Sequence, residues 1–388
     1  MIKTQTKLIT LSALLATQCA LSAAMAVNTD PDQGRVVVAN RTSGTLSIID
    51  VKTDEVVRNV SVAAKFARPP EPMYVNYVAK YNRLLVNDRA NKQIIALDAD
   101  TYKLINAVPT GKGAFHMWTD GLGKQTWSVN DVDKTFTVIN PGTLQVLKTI
   151  PIPADLKEKG GKPHDILLDK AGKWAITTIV GVGATTDPDY VVQYSTKTFQ
   201  EVARKAVGKD PHVGVLNDGK LLFVPTQNAN KVYVMDPNNY EMENKKPILD
   251  PVSKTKTLLV LKELDIPGAH GAAWTPNGKF FYTSNLPKAS DKDGNKDMLW
   301  AINTQTQEIV GSTPFPTFPG LQAAHNLTIN AAGTKLYLTH SGHEPGSDAG
   351  DVTVYNISDA NPVPVPTGKA PIGVGLNPFG IGYIPPKK

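Results

Sequence analysis

The chain has 388 residues, of which 41% are hydrophobic and 20% are charged. These proportions argue against intrinsic disorder and leave ample apolar sequence for a core. The formal net charge of +6 is spread over many positions without a run of basic residues, which argues against nucleic acid as a partner.

The first segment, residues 1–26, has the pattern of a secretory signal peptide. Two lysines precede the apolar run Leu8–Leu15, and Ala24-Met25-Ala26 provides a small-x-small cleavage site. We therefore expect residues 27–388 to be a soluble periplasmic protein, with secretion as the alternative. The only cysteine, Cys19, leaves with the signal peptide. No later apolar run approaches the roughly 20 residues that span a bilayer.

The rest of the chain repeats a short strand-like motif. Each copy is rich in β-branched and aromatic residues and ends in a turn-forming Asp, Asn or Ser. The copies are Leu46–Asp50, Ile94–Asp98, Phe136–Asn140, Val191–Ser195, Val232–Asp236, Leu299–Asn303 and Val352–Asn356. Seven copies predict seven similar structural units in one domain.

A second repeated element is a glycine turn followed by another strand. Asn217–Lys220 and Pro276–Lys279 contain the Asp-Gly or Asn-Gly pair that supplies a positive φ for a tight hairpin. Each unit is then a four-stranded antiparallel meander of about 40 to 55 residues, the size of a propeller blade. The sequence therefore predicts an all-β, seven-bladed β-propeller, which we expect to be a monomer.

The ends of the chain are predicted to close the ring. The first copy begins at Arg35 with what should be the second strand of a blade. The missing first strand is assigned to Ala370–Gly375, because this segment matches Asp210–Val215 in form. A C-terminal strand that completes the N-terminal blade would leave no open sheet edge.

These motifs resemble the YVTN-repeat family of seven-bladed β-propellers. The shared pattern is Pro-x-Gly, Asp/Asn-Gly-Lys, Tyr-Val-x-Asn and Val-x-Val-Ile-Asp, and Val36–Asn40 with Leu46–Asp50 gives the best local match. The resemblance covers essentially the whole of residues 27–388. It implies a fold but not a function, because this fold serves many roles. It also implies that the first strand of each blade lines a central channel.

Histidines recur at the start of these first strands. Five of the seven in the chain are placed there: His116, His164, His212, His270 and His325. The resemblance implies that they face the channel mouth, with Met73 and Ile372 at the two matching positions. His340 and His343, after the second strand of the last blade, should open on the same face. On a regular strand Asp165 would point away from its neighbour His164.

A ring of imidazoles predicts a transition-metal site. Imidazole binds zinc and copper well, and the thioether of Met73 would favour Cu(I). The arrangement is similar to the propeller of nitrous oxide reductases, which holds copper with channel-facing histidines, although no cysteine-bearing electron-transfer domain is present. We predict a periplasmic copper- or zinc-binding protein with the five histidines as ligands and with Met73, His340 and His343 as auxiliary ligands. The metal should lie off the axis, towards blades three to seven.

Two other functions stay open at this stage. One is a non-metal binding module for a periplasmic protein, a glycan or a nucleic acid on the propeller face. The other is a metal-assisted lyase or hydrolase. A calcium loop is a further candidate, since it has oxygens at alternate positions but lacks the distal glutamate of an EF-hand. Its residues are Asp291, Asp293, Asn295 and Asp297.

Overall fold

A computed structural model of the protein describes residues 33–62, 67–214, 219–286, 298–341 and 350–387. Within these ranges nearly all regular structure is β-strand, which confirms the all-β prediction. The predicted signal peptide (1–26), His343 and the calcium-loop positions Asp291–Asp297 lie outside the described residues. No helix of the described part has the length and apolar character needed to cross a membrane.

The N-terminal third consists of four-stranded antiparallel sheets. The strands are β1 (Arg35–Asn40), β2 (Thr45–Asp50), β3 (Glu55–Ser61), β4 (Pro72–Val78), β5 (Arg83–Asp88), β6 (Gln93–Asp98), β7 (Leu104–Pro109), β8 (Ala114–Thr119), β9 (Thr126–Asn130), β10 (Thr135–Asn140) and β11 (Gln145–Pro151). A 3₁₀ turn, Ala79–Tyr81, joins β4 to β5, and the helix α1 (Ala154–Glu158) follows β11. Consecutive strands pair within each group, as predicted for propeller blades.

The middle third has a four-stranded group and a three-stranded group, which the parallel pairing of Ala203 with Lys256 joins into one seven-stranded sheet. The strands are β12 (Lys162–Leu168), β13 (Trp174–Val180), β14 (Asp189–Ser195), β15 (Glu201–Val207), β16 (Leu222–Thr226), β17 (Lys231–Tyr240), β18 (Met242–Glu243), β19 (Lys246–Pro247) and β20 (Lys256–Asp265). A 3₁₀ turn, Gln227–Ala229, separates β16 from β17, and β18 with β19 forms a small separate hairpin.

The C-terminal third continues the pattern. Its strands are β21 (Ala273–Trp274), β22 (Phe280–Ser284), β23 (Met298–Asn303), β24 (Glu308–Pro314), β25 (Ala324–Ile329), β26 (Lys335–His340), β27 (Asp351–Asn356), β28 (Val365–Pro366), β29 (Ile372–Gly373) and β30 (Pro378–Ile384). The predicted turn Pro276–Lys279 lies between β21 and β22, and Gly278 has the expected positive φ of 71°.

The burial of the strands decreases from the second and third strand of each sheet to the fourth. The second and third strands are buried on both faces, as in β1 and β2, whereas β11 is exposed over most of its length. Apolar side chains of neighbouring sheets therefore pack face to face. Trp127 of β9 and Phe136 of β10 meet Tyr194 of β14 with ring centroids 6.0 and 5.7 Å away.

The strand next to β1 differs from the predicted one. β1 pairs with β30, with Arg35 opposite Ile384 and Val37 opposite Gly382. Ile372 instead lies opposite Val352 of β27, so the assignment of residues 370–375 to the first blade was wrong. The sequence has two Pro-x-Gly-x-Gly phrases, and the second, starting at Pro378, takes this place. The physical difference is burial, because Phe379 is 1% exposed whereas Ile372 is only partly buried.

Candidate functional site

The first strands of several sheets depart from regular antiparallel pairing at equivalent positions. In β4, β8, β12 and β25 the register with the next strand shifts across two adjacent residues. A shift of this kind is a β-bulge, which re-aims side chains. In β30 the equivalent residues are Phe379 and Gly380. His212 and His270 follow the isolated pairings of Pro211 and Ala269 and hold the first of these positions.

The bulges define two rows of residues around the inner ends of the sheets. The first row is Met73, Phe115, His164, His212, His270, His325 and Phe379. The second row is Tyr74, His116, Asp165, Val213, Gly271, Asn326 and Gly380. Four of the five predicted histidines therefore share one position. His116 is one residue out of register, because Phe115 holds that position in β8.

The six first-row residues other than Met73 form a continuous belt of rings. The centroids of His164 and His212 are 4.8 Å apart, those of His212 and His270 4.0 Å, and those of His270 and His325 4.9 Å. Phe379 follows at 4.2 Å from His325. The structure thus brings together four histidines from four separate segments of the chain. Met73 packs in a hydrophobic cluster that also holds Phe115 and Phe379.

Asp165 lies at the centre of the polar groups, although a regular strand would turn it away from His164. Its Oδ1 is 2.7 Å from Nε2 of His116 and 3.3 Å from Nδ1 of His164. Its Oδ2 is 3.4 Å from Nδ1 of His212 and accepts the backbone N–H of Val213 at 3.1 Å. The expectation for Asp165 was wrong because the β12 bulge breaks the alternation of side chains.

These contacts set the charge states of the buried groups. Burial raises the pKa of Asp165, but His116 and His212 outweigh it and hold that pKa well below its usual value. Burial lowers the pKa of His164 far below the ordinary histidine value. Burial also acts to lower the pKa of His212, but the Asp165 carboxylate raises it overall. Asp165 is therefore a buried anion beside a neutral His164.

Asp210 completes a possible metal-binding group that the sequence prediction missed. One ligand atom each of His164, Asp210 and His212 lies within 4.8 Å of the others. Asp210 Oδ1 is 4.0 Å from Nε2 of His212. That nitrogen and Nδ1 of His164 are buried and have no hydrogen-bond partner among the described residues. The signal in the sequence was the proximity of Asp210 to His212 in Asp-Pro-His.

The Asp210 backbone is held in an unusual conformation. Its φ of 60° lies in the left-handed region, which is uncommon for a residue other than glycine. Buried Asp189 accepts the Asp210 N–H at 2.9 Å through Oδ2. The other oxygen of Asp189 accepts the Val182 N–H at 2.9 Å and the Lys209 ammonium at 3.1 Å. Asp189 therefore supports the loop that presents the Asp210 carboxylate.

His340 lies in a different environment from the first row. Its Nδ1 is 2.8 Å from the carbonyl oxygen of Gln322, and its Nε2 is 2.8 Å from Oγ1 of Thr353. Burial lowers its pKa to about 4. With both ring nitrogens already hydrogen-bonded, this geometry does not favour His340 as an auxiliary ligand.

A cavity of about 320 Å³ lies beside the histidines, between the inner strands. Its polar lining includes Tyr74, His116, Asp165 and Asn326 of the second row, together with His212 and His270 of the first row. Aromatic side chains, Trp118 and Trp274 among them, form other parts of its wall. Its volume is in the range of small-molecule sites.

Comparison with known proteins places the chain in a class of fold. No protein-family model matches it, and no curated protein matches it. The β-propeller domain of Cps50 (Swd1) from Myceliophteria thermophila is similar in structure, with a TM-score of 0.59 at 14% identity over 85% of this chain and 95% of that one. The protein is therefore a β-propeller.

Two further structures are similar at the same level. A protein from Bacteroides fragilis, provisionally assigned as a 6-phosphogluconolactonase, has a TM-score of 0.63 at 16% identity, over 92% of this chain and 99% of that one. Hydrazine synthase from Kuenenia stuttgartiensis has a TM-score of 0.60 at 14% identity, over 84% and 98%. At these identities the similarity shows the fold alone.

Proposed function

We propose that the protein is a transition-metal-binding β-propeller whose site is His164, His212 and Asp210. The observation that carries the proposal is the pair of buried ring nitrogens, Nδ1 of His164 and Nε2 of His212, which lack hydrogen-bond partners among the described residues. A buried polar atom without a partner is destabilising by about 1–3 kcal/mol. A bound cation would remove that penalty.

The donor set favours zinc or Cu(II). Two imidazoles and one carboxylate match three-ligand sites that leave a fourth position open. Cu(I) prefers soft thioether or thiolate ligands, and Met73 packs among apolar side chains. His270, whose ring is 4.0 Å from that of His212, is the nearest candidate for a further ligand. His325 is the next residue of the belt.

Asp165 would act as the orienting carboxylate of this site. Its Oδ2 faces Nδ1 of His212, which leaves Nε2 to face Asp210. Metal-bound histidines usually donate their second N–H to a carboxylate or carbonyl, and this fixes the tautomer. His212 already has this arrangement, because its Nδ1 faces the Asp165 carboxylate.

The architecture proposed around this site is a closed ring of seven blades in an exported protein. The seven strand motifs each fall in a separate strand, from β2 to β27, and β30 pairs with β1, which supports closure. A ring gives equivalent positions of different blades a common direction, which is how distant histidines can converge. Export to the periplasm rests on the pattern of residues 1–26.

Metal content tests the proposal directly. Protein purified without an affinity tag and incubated with zinc or Cu(II) should retain close to one ion per chain after gel filtration. The double variant His164→Ala/His212→Ala should lose it. His340→Gln is the matched control, since this buried histidine has hydrogen bonds to both nitrogens, and it should retain metal. Equal metal content in the double variant and the wild type would rule out this site.

A further inference from the structure

The cavity beside the proposed metal site presents a hydrogen-bond acceptor next to a donor. His116 Nε2 lies 2.7 Å from the Asp165 carboxylate, so in the neutral imidazole this nitrogen carries the proton and Nδ1 is an acceptor. No described residue is hydrogen-bonded to Nδ1. With the imidazole neutral, a ligand that reaches Nδ1 must therefore offer a proton to His116.

Tyr74 supplies the complementary group. The Asn326 side-chain amide donates to its hydroxyl oxygen at 2.9 Å, and the hydroxyl proton is donated to no described residue. Burial first, and then the charge of Asp165, raises the pKa of Tyr74 well above its ordinary value, so the hydroxyl keeps its proton. The Tyr74 and His116 rings lie against each other with centroids 3.6 Å apart. The acceptor and the donor are therefore neighbours.

The other residues that line the cavity restrict the charge and the shape of a ligand. Of the described residues that line the cavity, Asp165 is the only carboxylate and none is a lysine or an arginine. The two Asp165 oxygens already face His116 and His212. An ionic ligand would therefore find no unengaged counter-charge there. Trp118 and Trp274 offer large aromatic surfaces, which favour flat rings through edge and stacking contacts.

We propose that this cavity is a binding site for a small, uncharged aromatic compound with a hydroxyl group, that is, a phenol. A hydroxyl group can donate to His116 Nδ1 and accept from the Tyr74 hydroxyl at the same time. The aromatic ring then lies against the tryptophans. This site differs from the metal site in its ligand and in the residues that recognise it, although the proposed metal ligand His212 and the orienting carboxylate of Asp165 also line the cavity.

Calorimetric titration of the full mature chain with phenol tests the proposal. Toluene, which has a ring but no hydroxyl, and cyclohexanol, which has a hydroxyl but no aromatic ring, are the matched probes. We expect saturable binding of one phenol, with each of the other two at least tenfold weaker. Absence of saturable phenol binding, or equal affinity for phenol and either probe, would overturn the proposal.

Two variants test whether His116 and Tyr74 bind the hydroxyl group of phenol. His116→Phe keeps a ring against Tyr74 but removes the acceptor, and it should weaken phenol at least tenfold without changing toluene. Tyr74→Phe removes only the hydroxyl and should weaken phenol severalfold while zinc content stays that of the wild type. Unchanged phenol affinity in both variants would refute the assignment. Loss of zinc by His164→Ala/His212→Ala is scored separately, so either proposal can fail alone.

Discussion

Asp165 Oδ2 lies 3.4 Å from Nδ1 of His212, while the other nitrogen of that imidazole faces Asp210 at 4.0 Å. The two carboxylates thus face opposite ends of one ring. In the proposed metal site, Asp165 would orient the histidine and Asp210 would be a second ligand. The relationship exists because the β12 bulge turns Asp165 towards the cavity although it directly follows His164.

The first prediction concerns the orienting carboxylate. Asp165→Asn should weaken zinc binding by about 10- to 100-fold, because loss of a carboxylate behind a ligating histidine typically has that effect. A competition titration with a chromophoric chelator measures the affinity. Asp120→Asn is the control, since Asp120 is also a buried carboxylate but accepts backbone N–H groups in a turn. The control should keep wild-type affinity, and equal affinities in both variants would contradict the role of Asp165.

The second prediction separates ligation from stability at Asp210. Its φ of 60° strains a residue with a side chain by about 1–2 kcal/mol. Asp210→Gly relieves that strain but adds freedom to the unfolded chain, so the free energy of unfolding should stay within about 1 kcal/mol of wild type. Zinc affinity should fall, because one ligand is lost.

Urea unfolding of the metal-free protein measures the free energy of unfolding, and a chelator competition measures the zinc affinity. Asp210→Asn serves as the intermediate variant, because asparagine tolerates the left-handed conformation and keeps a neutral oxygen. Its zinc affinity should lie between those of the wild type and the glycine variant. Retention of full affinity in Asp210→Gly would exclude the carboxylate as a ligand.

Local sequence predicted the strands and turns well, because both are set by neighbouring residues. The repeated motif of Val352–Asn356 and the turn at Gly278 appear where alternation and positive φ require them. The grouping of His164 with His212, His270 and His325 was also predictable, because equivalent positions of a repeat share a direction. The β-propeller fold follows from the same repetition.

The position of His116 and the role of Asp165 were not predictable in this way. Both depend on bulges, and a bulge is a property of the pairing between two strands rather than of either strand's sequence. The sequence of β8 alone does not determine whether Phe115 or His116 occupies the first-row position. The prediction of the C-terminal segment that pairs with β1 was wrong for a related reason. The sequence contains two similar Pro-x-Gly-x-Gly segments, and only the packing of Phe379 distinguishes them.

The third prediction is a pH dependence of stability from His340. Burial lowers its pKa to about 4, below the ordinary 6.5. Between these values the unfolded chain binds a proton that the folded one does not, so stability is full above pH 6.5 and falls as the pH drops towards 4. The total loss from this group is about 3 kcal/mol.

His340→Gln should remove that contribution, so that its unfolding free energy falls less steeply over this window than that of the wild type. Urea unfolding at several pH values between 4 and 8 measures both slopes. Asp351, which lies opposite His340 in the β26–β27 register and whose pKa is raised by burial, titrates in both proteins. Identical slopes would show that His340 does not have the lowered pKa.

The fourth prediction tests which C-terminal strand holds the ends together. Phe379 of β30 is 1% exposed and contacts the rings of His325, Phe115 and Tyr74. Phe379→Ala should therefore lower the free energy of unfolding by about 3–5 kcal/mol. Ile372→Ala, in the competing phrase, removes a partly buried side chain and should lower it by at most about 1 kcal/mol.

Thermal and urea unfolding compare the two variants, and truncation after residue 376 extends the comparison. The truncated chain keeps the phrase around Ile372 but lacks β30, so it should lose cooperative unfolding, because β1 is left with an unpaired edge beside the histidine belt. It should also lose zinc binding, because Phe379 of β30 packs against His325 of the belt. If the truncated chain unfolds like the wild type, or if Ile372→Ala is the more damaging substitution, then β30 is not the strand that closes the first blade.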